Sequence, residues 1–274
     1  MTQRLYSLAY LTTAPMAPPD ALGLALKLGY QSIGVRLVPA SPGGDFSPLV
    51  DNAAMLRETM SRIADTGVSI FDVEIARLNT DFRIERFHAF LETAGKLGAR
   101  AILVAGDDPD AGRLTQSYAT FCDAAATFGL TADLEFMPWT AVSDARTALR
   151  IVTGADRPNG RILVDTLHAA RSTTTLADIA AIPRDRLSYA QLCDAPADIP
   201  AMVDGLIHTA RCARLLPGEG GIDLAGILQQ LPGDLPLSLE IPNDELLPKL
   251  GAEQRARQSL AAAKRVVAFA GQLQ

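Results

Sequence analysis

Arg161-Ile162-Leu163-Val164-Asp165-Thr166-Leu167-His168 is the stretch on which the reading of this chain turns. Consecutive Ile, Leu and Val make a strand that is apolar on both faces, which suits a parallel sheet with helices crossing over each side. An acid ends the run, and a histidine follows three residues later. Seven other runs have the same character: Leu5–Tyr10, Ser32–Leu37, Ser69–Ile75, Ala101–Val104, Thr131–Phe136, Leu187–Leu192 and Pro236–Ile241. Amphipathic segments separate them, with apolar residues spaced three and four apart. Leu49–Thr66 is one. Ile84–Leu97 is another, with Phe87, Phe90, Leu91, Ala94 and Leu97 on one face. The alanine-rich Ala252–Gln272 closes the series. Eight strand–helix units in about 250 residues predict a parallel eight-stranded (β/α)8 TIM barrel ringed by helices. An open doubly wound sheet is the rival. It lacks its mark, because the first strand runs into Thr12-Thr13-Ala14-Pro15 and not into Gly-x-Gly-x-x-Gly.

The chain has 274 residues, 48% of them apolar and 20% charged, which excludes disorder and allows a large core. Turn clusters at 40–46, 106–110, 194–200 and 217–222 are short, so residues 1–274 read as one domain. The formal charge of −6 and the absence of Lys/Arg runs argue against nucleic acid or an anionic membrane as partner. Cys122, Cys193 and Cys212 are too few and too scattered for a disulfide framework or a zinc ribbon. The segment Leu5–Leu11 is short for a signal peptide, and no apolar window is long enough to span a bilayer. The expectation is a soluble cytoplasmic protein, with a homo-oligomer left open.

In such a barrel, chemistry belongs at the carboxyl ends of the strands. Glu135, Asp165, Gln191 and Glu240 stand there amid apolar neighbours, on the fifth to eighth strands. Asp165 alone would read as a helix cap. Three carboxylates converging without a cation would repel, and a divalent metal removes that repulsion. Oxygen donors favour Mg²⁺ or Mn²⁺, with Co²⁺ or Zn²⁺ as alternatives. His168 is a candidate general base or acid, or else a packing residue. His88 and His208 fall within helical periods and read as structural. Arg211 and Arg214, three apart before Pro217-Gly218, either hold an anionic or hydroxyl-rich substrate or end a helix. Arg36 and Arg77 end strands two and three. With Glu74 nearby, an ion pair there would be mainly structural, and Arg77 is also a candidate substrate contact. Trp139 is a flat wall for a ring or a core residue. Cys193 has no activating partner nearby in sequence and reads as packing.

Leu134-Glu135-Phe136-Met137-Pro138-Trp139, Val164-Asp165-x-x-His168, Gln191-Leu192-Cys193-Asp194, Arg214-x-x-Pro217-Gly218-Glu219-Gly220 and Leu239-Glu240 occur in an order that resembles the xylose-isomerase-like TIM-barrel superfamily, the sugar phosphate isomerases/epimerases. The resemblance spans nearly the whole chain. It implies a divalent metal on Glu135, Asp165, Gln191 and Glu240. It also implies that Glu135 and Glu240, with His168 nearby, exchange a proton beside a carbonyl through an enediolate. The expected function is therefore a metal-dependent isomerase or epimerase of a small polyhydroxylated carbonyl compound. Gln191, where many such epimerases carry histidine, is instead similar to bacterial 3-dehydroshikimate dehydratases. So are Gln191–Pro196 and the paired arginines. That alternative is a lyase in which His168 takes the proton and Arg211, Arg214 and Arg77 hold the substrate carboxylate. A non-catalytic sugar- or metal-binding barrel is a third reading. The superfamily's zinc endonucleases fit poorly with few histidines and a negative charge.

Overall fold

Parallel strands cannot be joined by tight hairpins, so each needs a crossover, and this chain supplies one after every strand. The computed structural model describes residues 4–40 and 43–272. Its strands are β1 (Tyr6–Leu8), β2 (Ser32–Arg36), β3 (Ser69–Leu78), β4 (Ala101–Gly106), β5 (Thr131–Glu135), β6 (Gly160–Asp165), β7 (Ala190–Leu192) and β8 (Leu237–Leu239). Each pairs with the next, and β8 pairs with β1 through Ser7↔Ser238, closing the predicted barrel.

Local chemistry sets the helix limits. The helix Ala53–Thr66 starts where the Asn52 side chain accepts from the Met55 N–H, and it stops at Gly67 in the left-handed region (φ 69°). The turn 49–52 precedes it, so the helix begins four residues later than the apolar spacing predicts. The segment 84–97 is a 3-10 turn, Ile84–Phe87, followed by the helix His88–Lys96. The last helix runs over Leu247–Gln272 and breaks at Gly251 (φ 74°). β3 extends three residues beyond expectation, because Ala76, Arg77 and Leu78 pair with Val104, Ala105 and Gly106. The charged Arg77 masks that continuation in the sequence. Among the described residues, no helix is long and apolar enough to cross a membrane.

Alternation along the strands divides the core. Residues such as Leu134, Ile162 and Val164 pack outward under the helices. Phe71, Leu103, Leu163, Met137 and Tyr189 fill the inside, where the Phe71 and Tyr189 rings lie 5.1 Å apart. Outside, the Tyr118 hydroxyl donates to the Ala132 carbonyl at 2.6 Å and accepts the Arg161 N–H at 3.0 Å, tying β5 to β6.

Two acids sit inside with the apolar set. Asp72 and Asp133 are wholly buried. Gly34 makes room for the first, since a Cβ there would lie 3.0–3.3 Å from the Asp72 carboxyl group. Burial, followed by the charges of Glu74, Glu240 and Asp133, pushes Asp72 well above the usual carboxyl range. Burial also lifts Asp133 to about 6, against the opposing pull of the Thr131 and Ser188 hydroxyls. Folded Asp133 therefore keeps its proton to a higher pH than the unfolded chain does. Its stabilising contribution is complete below about pH 4 and is lost as pH rises through about 6. Asp133→Asn should remove roughly 2–3 kcal/mol of that decline between pH 4 and 6, read by urea denaturation against wild type. Parallel pH profiles for the two proteins would refute it.

Candidate active site

The barrel register brings the strand-end residues together. Asp165 on β6 pairs in register with Gln191 on β7, Gln191 with Ser238 on β8, and Glu135 on β5 with Leu163. Glu240 follows β8 directly. All four polar residues expected at the mouth are buried in one cluster. Gln191 Nε2 donates to Glu240 Oε1 at 3.2 Å. Arg214 lies between two of the acids, with Nη1 2.5 Å from Asp165 Oδ2 and Nη2 2.8 Å from Glu240 Oε2. His168 Nε2 stands 3.8 Å from Glu135 Oε1. One donor atom each from Glu135, Asp165 and His168 falls within 4.8 Å of the others.

Asp165 combines the two roles that its sequence position left open. Oδ1 caps the helix Thr166–Arg171, accepting the N–H groups of Leu167 (2.7 Å) and His168 (3.3 Å), while Oδ2 meets Arg214. The cap starts a helix that carries His168 inward, where its ring stands nearly perpendicular to Trp139 with the centroids 5.1 Å apart. Burial, opposed by Asp165 and reinforced by Arg214, lowers the His168 pKa to about 4. Its imidazole is neutral at pH 7, so the approach to Glu135 is a contact and not an ion pair.

The carboxylates respond differently to shared burial. Burial raises Glu135 well above its usual value, and the charges of Asp165 and Glu240 add to that. Glu240 reaches about 7 through burial, with Arg214 pulling down and Glu74 and Asp165 pushing up. For Asp165 burial also pushes upward, but the Arg214 charge leads the groups that outweigh it and hold the acid below the usual range.

Residues of this kind fit a hard divalent cation. Gln191 Oε1 is buried with no hydrogen-bond partner among the described residues. It is a neutral oxygen donor beside Asp165, Glu135 and Glu240. Arg214 supplies one positive charge to this group of acids, and each carboxylate oxygen keeps acceptor capacity beyond the bonds it makes.

The loop that carries Arg214 is shaped by Asp194. Its Oδ1 accepts from Ala195 (2.8 Å) and Ile222 (3.1 Å), and its Oδ2 from Gly218 (2.9 Å) and Gly220 (3.0 Å). A Cβ at Gly220 would lie 2.2 Å from the Ala195 carbonyl oxygen, so only glycine lets the loop wrap this closely. Arg214 is thereby buried, with Nε donating to the Ala210 carbonyl at 2.7 Å. Arg211, one turn earlier on the helix Val203–Cys212, is exposed. The two arginines that sequence spacing pairs thus sit in different places.

A cleft of about 740 Å³, solvent included, opens above this group. Glu135, His168, Arg214 and Glu240 line it with Met137 and Trp139, and Arg36, Glu74, Arg77 and Arg211 complete the wall. Arg77 Nη1 pairs with Asp107 at 2.5 Å and its Nε donates to Ala40 O at 3.2 Å. Partial burial, then the charges of Arg77 and Arg36, lower the pKa of Arg211. That corner of the cleft carries positive charge in excess. His88 and His208 lie on helices away from the cleft lining. Burial pushes the Cys193 thiol up to about 12, which suits packing.

Sequence reasoning missed the Asp194 clamp, the interior acids Asp72 and Asp133, and the place of Glu74 in the cleft wall. A signal was present in Asp72-Val73-Glu74 and Asp133-Leu134-Glu135, acids two apart and therefore on one strand face. Asp194→Asn removes acceptor capacity for part of the four-bond clamp and should cost ~2–4 kcal/mol in urea denaturation. It should also loosen the Arg214 loop to limited proteolysis. An unchanged midpoint and cleavage pattern would show that the clamp is dispensable.

The chain is 29% identical over 203 residues to the 3-dehydroshikimate dehydratase of Pseudomonas aeruginosa, covering 73% of this chain. It spans only 29% of that enzyme's length. Among solved structures, a zinc-bound IOLI protein superposes with a TM-score of 0.80 at 20% identity, covering 97% of this chain and 98% of that one. A D-allulose 3-epimerase from Methylomonas sp. superposes at 0.70 with 17% identity, covering 96% and 98%. A family model described as xylose isomerase-like TIM barrel matches residues 22–266. The chain belongs to the xylose isomerase-like TIM barrel family.

Proposed function

We propose that this chain is a metal-dependent lyase that takes a proton from the carbon beside a carbonyl of a small hydroxylated acid and expels water, with a 3-dehydroshikimate-like compound as substrate. The observation that carries this reading is the positive corner built by Arg77, Arg211 and Arg36, which suits a substrate carboxylate. Gln191 and the dehydratase relative support it.

Arg77 is held in place by Asp107, and with Arg211 it would fix the substrate carboxylate at one end of the cleft. Trp139 would limit the ring to one plane beside His168. A neutral His168 has a lone pair to accept the substrate proton, and Glu135 at 3.8 Å would stabilise the imidazolium that results. A divalent ion on Glu135, Asp165, Gln191 and Glu240 would polarise the carbonyl and make the adjacent C–H acidic. The proton taken up by His168 would then pass to the departing hydroxyl, so that it leaves as water.

The isomerase or epimerase of a ketose is the second reading. The specific observation in its favour is that Glu135 and Glu240 both line the cleft, as a two-acid proton exchange requires.

Purified protein should carry about one equivalent of divalent metal, lost in Glu135→Gln/Glu240→Gln. Mn²⁺ affinity should climb as pH rises through about 7, because the Glu240 proton, and that of Glu135 whose carboxyl is also held up, must leave first. With 3-dehydroshikimate, aromatic product absorbance should grow. His168→Ala should cut kcat by about 10²–10⁴-fold with metal content unchanged. Turnover of D-allulose or D-fructose, with none of the acid, would transfer the assignment to the epimerase reading. Loaded protein inert toward both would overturn the two together.

A further inference from the structure

Across the cleft from the carboxylate cluster, β2 and β3 contribute a buried ion pair. Arg36 Nη2 lies 2.5 Å and Nε 3.1 Å from Glu74 Oε2, and the Arg36 guanidinium sits 5.1 Å from the centroid of the Tyr10 ring. The pair fixes Glu74 in one orientation. Only one of its oxygens is used. Glu74 lines the same cleft, and its Oε1 is buried with no hydrogen-bond partner among the described residues. An unpaired buried acceptor costs about 1–3 kcal/mol, which a hydrogen bond from a bound molecule would offset. Glu74 is itself no partner for a substrate carboxylate, since an anion would be repelled there.

We propose that Glu74 is a specificity residue whose Oε1 accepts a hydrogen bond from a substrate hydroxyl. The cleft therefore selects molecules that present an O–H toward β3 while their carbonyl faces the β5–β8 side. Arg36 already donates twice to Oε2 of this carboxyl group, which leaves Oε1 as an acceptor whose partner must donate. Carbonyl, ether and deoxy positions are refused there. Arg36 acts through Glu74 as its positioning residue. Sites that hydrogen-bond a buried substrate hydroxyl discriminate strongly against analogues that lack it, because the protein group is then stranded. This inference rests on the proposed reading of the cleft as a substrate site for hydroxylated acids or ketoses.

Trp139 is the only tryptophan and lines the cleft, so its fluorescence reports binding directly. The probes are shikimate, which carries a carboxylate and three hydroxyls without a reactive ketone, and cyclohexene-1-carboxylate, which keeps the carboxylate alone. Mn²⁺-loaded wild type should bind shikimate at least tenfold more tightly. Glu74→Ala should erase most of that preference, leave cyclohexene-1-carboxylate affinity within twofold and leave Mn²⁺ binding intact. If Glu74→Ala fails to fold, Glu74→Gln keeps an oxygen for Arg36 and puts an NH₂ group in place of the free acceptor. It should lower shikimate affinity and spare the hydroxyl-free probe. A variant that still prefers shikimate as wild type does overturns the assignment of Glu74 and leaves the carboxylate reading standing. Wild type that binds both probes equally overturns hydroxyl selection outright. Wild type that binds neither probe overturns the carboxylate reading, and the Glu74 test then passes to D-allulose against 1-deoxy-D-allulose. An equal response to those two sugars, or no response to either, overturns the proposal.

Discussion

Buried negative charge is the constraint around which this barrel is organised. Glu135, Asp165 and Glu240 are taken out of water within one mouth, and Glu74, Asp72 and Asp133 line the interior nearby. Ionising all of them in a low-dielectric interior would be prohibitive, so the structure uses two remedies. Arg214 and Arg36 bring guanidinium groups into contact with Asp165, Glu240 and Glu74. Where no cation reaches, as at Asp72, the acid is held toward its neutral form. A divalent ion at Gln191 and its neighbours would offset the remainder. The same low dielectric strengthens each electrostatic contact with a substrate carbonyl.

That constraint governs the loops above the barrel. Arg214 meets the acids only because the chain after the helix Val203–Cys212 turns inward, and Asp194 fixes that turn through four backbone N–H groups. The glycines at 218 and 220 follow from it, one for its left-handed backbone and the other for close approach to the Ala195 carbonyl. Burial of Arg214 also divides labour between neighbouring arginines. Arg214 serves the acids, and Arg211 remains at the rim beside Arg77 and Arg36.

The two ends of the cleft consequently differ in charge. One is acidic and suited to a metal, the other basic and suited to an anion, with Glu74 beside Arg36 in the wall. A flat ring against Trp139 would be oriented by that gradient before any proton moves, which is how fixed charges contribute to catalysis without reorganising.

Much of this was legible in the residues alone. Eight apolar runs separated by amphipathic segments determined the barrel, because burial on both faces of a parallel strand leaves an uninterrupted apolar signature. Glu135, Asp165, Gln191 and Glu240 stood out as polar residues at the ends of such runs, and His168 as the histidine one turn beyond one of them. The length of β3 was hidden, since Arg77 breaks the apolar pattern while its backbone continues the ladder. Asp72 and Asp133 showed only their two-residue spacing from Glu74 and Glu135, because which face points inward is known only once the barrel closes. Which arginine would be buried, whether Glu74 would face the cleft, and how far each carboxyl would shift were decided by tertiary structure. The physical reason is distance along the chain. Asp165 and Arg214 are 49 residues apart, and Arg36 and Glu74 are 38 apart. Sequence periodicity reports which face of its own element a side chain occupies, whereas charge, burial and pKa depend on groups that only the closed barrel brings into contact.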